Sequence, residues 1–129
     1  YILHPLKVMH YLDDDRDEEL ECIALLHDVI EDTKTTWQDL RDIGCTDRII
    51  NAVEALTKMP GETYDEYKER IFKNVDAMRV KKCDLRHNSD IRRLKGITEK
   101  DIARIAKYQK FYLEIEAELK NPSYVGIHA

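Results

Sequence analysis

Glycine and proline are scarce in this chain of 129 residues, which contains four glycines and three prolines. With so few helix breakers, and with apolar residues spaced by three and four, the pattern is helical throughout and no strand pattern is visible. No stretch approaches the roughly 20 apolar residues that a membrane span requires. No signal peptide is visible either. These absences argue against a membrane protein and against a β-rich fold.

The chain has only three cysteines, and its 26 acidic residues outnumber its 21 Lys and Arg. The three cysteines are odd in number and form no CxxC pair, so reduced thiols are expected rather than a disulfide framework. The net charge of −5 argues against a general nucleic-acid binder, which is usually basic. We therefore expect a cytoplasmic protein whose partner is a small molecule, with no role for a nucleic acid or a membrane.

The remaining composition is typical of a folded domain, with 43% hydrophobic and 36% charged residues. We predict one all-α domain over residues 1–129, a compact bundle of about six to seven helices. The sequence begins at Tyr1 rather than at Met, so we expect a leading segment to be missing from it.

Start and stop signals divide the chain into seven predicted helices. Thr36 and Thr63 each begin a capping box, Asn74 and Thr98 cap two later helices, and Gly44 closes one. Residues 13–17 predict an acidic turn, and residues 121–129 predict a tail. The predicted helices cover about 5–12, the segment from the acidic turn to 31, 37–43, 47–57, 64–73, 75–94 and 99–120.

The stretch ALLHDVIEDT, residues 24–33, ends an apolar helix in four ionisable residues. On one continuous helix, His27, Asp28, Glu31 and Asp32 would fall within roughly 140° of one another. The ordinary explanation is the wet face of an amphipathic helix. The preceding segment, CIALL, is however apolar on every side, which indicates that the four charges emerge from a core. Buried charges must be paired or must hold a metal, so we favour a functional cluster.

A later predicted helix carries a second polar anomaly. Asp84 falls in the middle of its apolar stripe, and Asn88 lies one turn further on the same side. The ordinary explanation is a structural hydrogen-bond network, such as a carboxylate that caps a neighbouring helix. A second buried acid in an all-α domain nevertheless favours a shared site.

Basic residues crowd the same region. Residues 68–95 include ten Lys or Arg against four acids, a local charge of +6 in a chain of net charge −5. Most of these will be solvated, but Lys81 lies one turn before Asp84 on the same side and is expected to face the site. A metal beside a basic rim suits a phosphorylated anion.

His4, beside Pro5 at the start of the first predicted helix, completes a ligand set. Alone it would be read as a cap or a surface group. With His27, Asp28 and Asp84 it gives two imidazoles and two carboxylates, a mixed set that suits Mn²⁺, Fe²⁺ or Zn²⁺.

Three segments resemble motifs of one enzyme family, and they follow in the family's order. YILHPLKVM resembles its first-histidine motif, ALLHDVIEDT resembles its HDxxED signature, and VKKCDLRHNSDIRRL resembles its KxADxxHN motif. The chain thus resembles HD-domain phosphohydrolases, and more closely the hydrolase domain of the RelA/SpoT family and its small stand-alone alarmone hydrolases. The likeness runs from Tyr1 to about Leu119.

The resemblance implies roles for individual residues. His4, His27, Asp28 and Asp84 would bind one divalent metal, with Mn²⁺ the family's usual ion. Glu31 and Asp32 would be the catalytic acids. Asn88 and Tyr108 would contact the substrate. We expect the same of Lys81 from its position on the helix and not from the resemblance. The chain differs from long family members in the order of Leu85 and Arg86, which concerns the role of Arg86 and not that of Asp84.

The implied reaction is hydrolysis of guanosine 3′,5′-bis(diphosphate) with release of pyrophosphate from the 3′ position. Three rivals remain open. One is an HD-domain phosphatase that acts on a deoxynucleotide or on NADPH. Another is a non-catalytic helical module that binds a nucleotide or a protein. The third is a plain helical domain with a satisfied polar core.

Overall fold

Helical segments account for all the regular secondary structure in residues 2–12 and 16–121, which the computed structural model describes. The predicted all-α class is therefore confirmed. Within these residues there are eight α-helices, one more than predicted, and a short 3-10 helix at Ile91–Arg93. The α-helices are α1 Leu3–His10, α2 Glu18–Leu26, α3 Val29–Asp32, α4 Trp37–Asp42, α5 Asp47–Leu56, α6 Tyr64–Phe72, α7 Val75–Asn88 and α8 Glu99–Leu119.

Side-chain caps begin most of these helices where the sequence predicts. Thr36 and Thr63 each form a full capping box with an acid three residues on. Asn74 accepts a hydrogen bond from the amide of Ala77 at the start of α7, and Thr98 caps α8. Such caps satisfy amide N–H groups that have no partner inside the helix, which fixes the start of each helix.

Two predicted helices are shorter than expected. The second breaks at His27 and Asp28, where Asp28 adopts φ −110° and ψ 3°, and α3 begins only after this turn. The predicted helix over 75–94 ends at Asn88, because the Asp90 side chain accepts the amide N–H of Arg92 and starts the 3-10 helix instead. Short polar side chains compete with helical hydrogen bonds in this way.

Helix α7 lies at the centre of the fold and packs against α1, α2, α5, α6 and α8. Its apolar residues join one hydrophobic core with residues from the surrounding helices. Ala77, Met78 and Val80 are fully buried, and Asp84 lies among them with only 4% of its surface exposed. Asp84 is therefore held in the interior by a helix that packs against five others.

A charged cluster clamps the first turn of α7 to its neighbours. Arg48 on α5 donates two hydrogen bonds to the carboxylate of Asp17, at 3.0 and 2.7 Å. It donates two more to the carboxylate of Asp76, both at 2.9 Å. We call Arg48, Asp17 and Asp76 the arginine clamp. It ties α5, the start of α2 and the start of α7 together.

Two predictions fall largely outside the described residues, namely the acidic turn over 13–17 and the tail over 121–129. Within the described part of the chain, no helix has the length and apolar character needed to cross a membrane.

Candidate metal centre

Four side chains from three parts of the chain meet beside the C-terminal half of α7. His4 comes from α1, His27 and Asp28 from the break between α2 and α3, and Asp84 from α7. One nitrogen or oxygen atom from each lies within 4.8 Å of the other three. We call these four residues the His–Asp cluster. The fold thus brings together His4, the pair His27 and Asp28, and Asp84, which are far apart in the sequence.

Short distances connect the atoms of the cluster. Oδ1 of Asp84 lies 2.7 Å from Nε2 of His4 and 3.3 Å from Nε2 of His27. Oδ2 of Asp28 lies 3.0 Å from Nε2 of His27 and 3.9 Å from Nε2 of His4. Both imidazoles therefore present the same ring nitrogen to both carboxylates.

The other ring nitrogen of each histidine is held by an outer partner. Nδ1 of His27 donates to the carbonyl of Ala24 at 2.6 Å, which also anchors the helix break. Nδ1 of His4 lies 2.7 Å from Nδ1 of His87, and the two rings stack with their centroids 4.9 Å apart. Metal-binding histidines are commonly oriented by such a contact at the nitrogen that does not bind the metal.

The chemistry of the cluster fits a divalent cation. Nε2 of His27 is buried and forms no hydrogen bond of acceptable geometry, although Asp28 is close. A buried polar atom without a partner costs free energy, and a cation between the two imidazoles and the two carboxylates would remove that cost. The set of two nitrogens and two oxygens suits Mn²⁺, Fe²⁺ or Zn²⁺.

Negative charge dominates the electrostatics at His27. Burial lowers the pKa of His27, but the carboxylates of Asp28 and Asp84 more than offset it and raise this pKa to about 10. The same two carboxylates that favour a proton on the ring would favour a metal ion in its place. Proton and metal thus compete for this position.

The two oxygens of Asp84 have different partners. Oδ1 faces the histidines and also accepts a hydrogen bond from Asn88 at 3.0 Å. Oδ2 accepts a hydrogen bond from Nζ of Lys81 at 2.8 Å. Burial raises the pKa of Asp84, yet Lys81 and the two histidines outweigh burial and hold it well below its usual range. Asp84 is therefore an ionised buried carboxylate. Its Oδ1 faces the histidines and its Oδ2 faces Lys81.

Lys81 thus contacts the site through Asp84. Burial lowers its pKa, but the adjacent carboxylate outweighs burial and raises it, so the ammonium stays charged. Its position toward the site agrees with the sequence prediction. Its contact with substrate stays a prediction, since the ammonium already pairs with Asp84.

Glu31 and Asp32 lie on α3, outside the His–Asp cluster, and both are exposed. Glu31 accepts a hydrogen bond from the backbone amide of Lys58 at 2.6 Å. Burial raises the pKa of Tyr67 to about 12; the charges of Asp84 and Glu31 add to this rise and Lys81 opposes it.

The predicted substrate residues Asn88 and Tyr108 line one open cavity with a volume of about 290 Å³. Two arginines share its wall, and Arg93 donates to the side-chain oxygen of Asn88 at 3.2 Å. Asn88 also bonds to Asp84, so the cavity adjoins the cluster. The lining residues are Asn88, Asp90, Arg93, Leu94, Arg104 and Tyr108.

Sequence reasoning did not single out three residues of this region. His87 follows Asp84 by three positions and so faces the same side of α7. Arg104 precedes Tyr108 by four positions on α8, which also puts the two side chains on one face. Helical spacing could have found both. Nothing in the sequence indicates that Arg93, beyond the end of α7, turns back to Asn88.

No protein-family model matches the chain. Over an alignment 86 positions long, the chain is 34% identical to the guanosine-3′,5′-bis(diphosphate) 3′-pyrophosphohydrolase of Aquifex aeolicus (strain VF5). The alignment covers 62% of the present chain and 12% of the length of that relative. The chain is thus similar to a small part of a much longer hydrolase.

Proposed function

We propose that this chain is a single HD-type domain over residues 1–129 that hydrolyses guanosine 3′,5′-bis(diphosphate) and releases pyrophosphate from the 3′ position. The observation that carries the proposal is the His–Asp cluster, with the buried and unsatisfied Nε2 of His27 at its centre. The printed activity of the Aquifex aeolicus relative supports the choice of substrate.

In this proposal His4, His27, Asp28 and Asp84 hold one Mn²⁺ ion. When bound, the ion supplies Lewis-acid polarisation of a phosphate oxygen. The chain itself prepares the ligands. Ala24 and His87 orient the two imidazoles, while Lys81 balances the charge of Asp84 from the far side. The half-buried Asp28, with 27% of its side chain exposed, leaves the cluster accessible from solvent.

Glu31 and Asp32 supply the acid–base chemistry in this proposal. Both follow the His27–Asp28 break directly, are exposed, and are not needed as ligands. One carboxylate orients the attacking water and accepts its proton, and the other donates a proton to the departing 3′ oxygen of the nucleotide. The bond from the amide of Lys58 holds Glu31 in place for either task.

The cavity beside Asn88 receives the nucleotide in this proposal. Arg93 and Arg104 on its wall offer guanidinium groups for a second phosphate group, and Tyr108 offers an aromatic face for the base. Asn88 contacts both this cavity and Asp84, so it links nucleotide position to the reacting phosphate.

A nucleotide panel with purified protein and Mn²⁺ tests the substrate. We expect pyrophosphate and GDP from guanosine tetraphosphate, and no orthophosphate from deoxynucleoside monophosphates or from NADPH. Orthophosphate release from either of the latter would instead support a phosphatase of another nucleotide. Metal-loaded protein with no turnover on any nucleotide would support the non-catalytic module.

The catalytic acids need a separate test, because their roles rest on position. The double variant Glu31→Gln, Asp32→Asn should bind Mn²⁺ as the wild type does and lose turnover by roughly a hundredfold or more. The matched control is Asp65→Asn, Glu69→Gln on α6, an equal change of charge at exposed residues. Unchanged turnover in the first variant would show that Glu31 and Asp32 have other roles.

A further inference from the structure

A second cavity lies on the opposite side of α7 from the His–Asp cluster. Arg79, Lys82, Cys83 and Arg86 follow one another at helical spacing and line one of its walls. Relative to Asp84 they point roughly 160–260° around the helix axis. The other walls come from the end of α1 and from α8. The lining residues are Tyr11, Leu12, Arg79, Lys82, Cys83, Arg86, Tyr112 and Leu119.

The cavity is strongly basic for a protein of net charge −5. Three of its lining residues are cationic and none carries a carboxylate. Arg79 has a distant carboxylate partner, 4.0 Å away at Asp17. Charge of one sign gathered around a concave surface concentrates ions of the opposite sign there. The cavity therefore favours an anion.

Two of the three cations are held by aromatic rings instead of by acids. The guanidinium of Arg86 lies 4.0 Å from the ring centroid of Tyr11, and the ammonium of Lys82 lies 5.6 Å from that of Tyr112. Within residues 2–12 and 16–121, neither cation forms an ion pair or a hydrogen bond. Cation–π contact fixes the position of a cation and leaves its N–H donors for a ligand.

The remaining walls suit a ligand that also has an apolar body. Leu12 and Leu119 add aliphatic surface to the two tyrosine rings. The cavity has a volume of about 80 Å³, which leaves room for a phosphate group, so the rest of a ligand would lie at its open mouth. A phosphate group on the cations and a flat ring against a tyrosine would use both features.

From these observations we propose that the cavity formed by Tyr11, Lys82, Arg86 and Tyr112 is a second binding site for a nucleoside phosphate. Helix α7 lies between the cavity and the His–Asp cluster, although Tyr11 on the cavity wall contacts His87, with ring centroids 6.1 Å apart. The proposal does not rest on the proposed hydrolase function, since no residue of the cavity belongs to that site.

Binding can be measured on metal-free protein at low salt, with GDP, guanosine and inorganic pyrophosphate as probes. We expect GDP to bind with sub-millimolar affinity and to shift the backbone amide NMR signals of Tyr11, Lys82 and Arg86. The double variant Lys82→Gln, Arg86→Gln should weaken GDP binding by about tenfold or more. The control Lys100→Gln, Lys110→Gln makes the same charge change at exposed positions of α8 and should change affinity less than about twofold.

The aromatic contribution needs a further variant. Tyr112→Leu keeps an apolar side chain at a core-packed position, and should weaken GDP binding by about threefold to tenfold while pyrophosphate binding stays unchanged. Equal loss for both probes would contradict stacking of the base and would reduce the site to a phosphate site.

Three results would overturn the proposal. Shifts confined to the signals of Asn88 and Tyr108 would locate binding in the cavity beside the His–Asp cluster. No binding of GDP at millimolar concentration would also contradict it. So would binding only after Asp13, Asp14 and Asp15, which directly follow Leu12 in the sequence, are all replaced by Asn, because the acids would then be competing for the same cations.

Discussion

Helix α7 carries two acids, eight residues apart, that belong to two different charged clusters: Asp76 is part-buried and Asp84 is buried. At its first turn, Asp76 belongs to the arginine clamp, in which Arg48 offers both carboxylates two hydrogen bonds each. Near its end, Asp84 belongs to the His–Asp cluster, in which Nε2 of His27 has no hydrogen bond. Asp76 and Asp84 are both acids on a central helix. Of the two clusters, only the His–Asp cluster contains a buried polar atom without a hydrogen-bond partner, Nε2 of His27.

The comparison distinguishes charged residues that stabilise the fold from charged residues that could bind a metal ion. In the arginine clamp all four carboxylate oxygens accept a hydrogen bond from Arg48, which stabilises the junction of three helices. In the His–Asp cluster two carboxylates face two imidazoles and only Lys81 adds a permanent positive charge, from the outer side of Asp84. An incomplete set of buried ligands indicates a place for a cation. Variants of the two groups should therefore fail in different assays.

The largest effect is expected from Asp28→Asn. Loss of one ligand charge should reduce metal-dependent turnover by roughly a thousandfold, about 4 kcal/mol in activation free energy. Stability should change little, because the Asp28 side chain is part exposed. Steady-state kinetics at saturating Mn²⁺ and a thermal melt of the metal-free protein measure the two effects. A large fall in melting temperature together with full turnover would show that Asp28 stabilises the fold and is not needed as a metal ligand.

A smaller effect, on stability and not on turnover, is expected from Arg48→Met. Removing the shared partner of two carboxylates should lower the free energy of unfolding by about 2 kcal/mol. This is less than the cost for a fully enclosed pair, because 36% of the Arg48 side chain is exposed. Urea denaturation measures the change. Turnover of the folded variant should match that of the wild type, and loss of metal binding would contradict a purely structural role.

His87 gives a test of the outer contact to His4. His87→Leu removes the ring nitrogen that lies 2.7 Å from His4, and should weaken Mn²⁺ binding by about tenfold. His87→Gln restores a hydrogen-bonding group and should recover most of the loss. Metal titration monitored by the paramagnetic signal of free Mn²⁺ compares the two variants. Equal affinity in both would contradict a positioning role for His87.

The smallest effect concerns acid stability. Hydrogen bonds from Arg48 lower the pKa of Asp17, although burial partly opposes this. A carboxyl with a lower pKa in the folded state adds stability above its unfolded pKa of about 4, and that stability is lost as the pH falls through the folded value. The stability difference between wild type and Asp17→Asn should thus narrow below about pH 4. A difference that stays constant from pH 6 to pH 2 would contradict the linkage.

Local signals in the sequence predicted much of the fold. The caps at Thr36, Thr63, Asn74 and Thr98 act through atoms within three residues, so spacing alone locates them. The break at His27 was not predictable in this way. It accompanies a hydrogen bond from the ring to the Ala24 carbonyl and a set of contacts to α7, which only the tertiary structure provides.

For the site, too, local signals in the sequence were informative and contacts between distant residues were not predictable. The polar anomaly at Asp84 and the two charged pairs after Ala24 were visible as charge within apolar patterns, and the structure brings the ligand candidates together. The helix-wheel argument for one shared face of four charges was wrong in its premise, because the helix is interrupted between His27 and Val29. The stacking of His87 on His4 joins positions 83 residues apart, which no local spacing could reveal.

The most direct test is to locate Mn²⁺ in crystals of the wild type and of Asp28→Asn by anomalous scattering. In the wild type we expect one strong peak about 2.0–2.3 Å from Nε2 of His4, Nε2 of His27 and an oxygen of Asp84. This peak should weaken or vanish in the variant. A wild-type structure with Mn²⁺ elsewhere, and with His27 Nε2 hydrogen-bonded to protein or water, would contradict a metal centre in this protein.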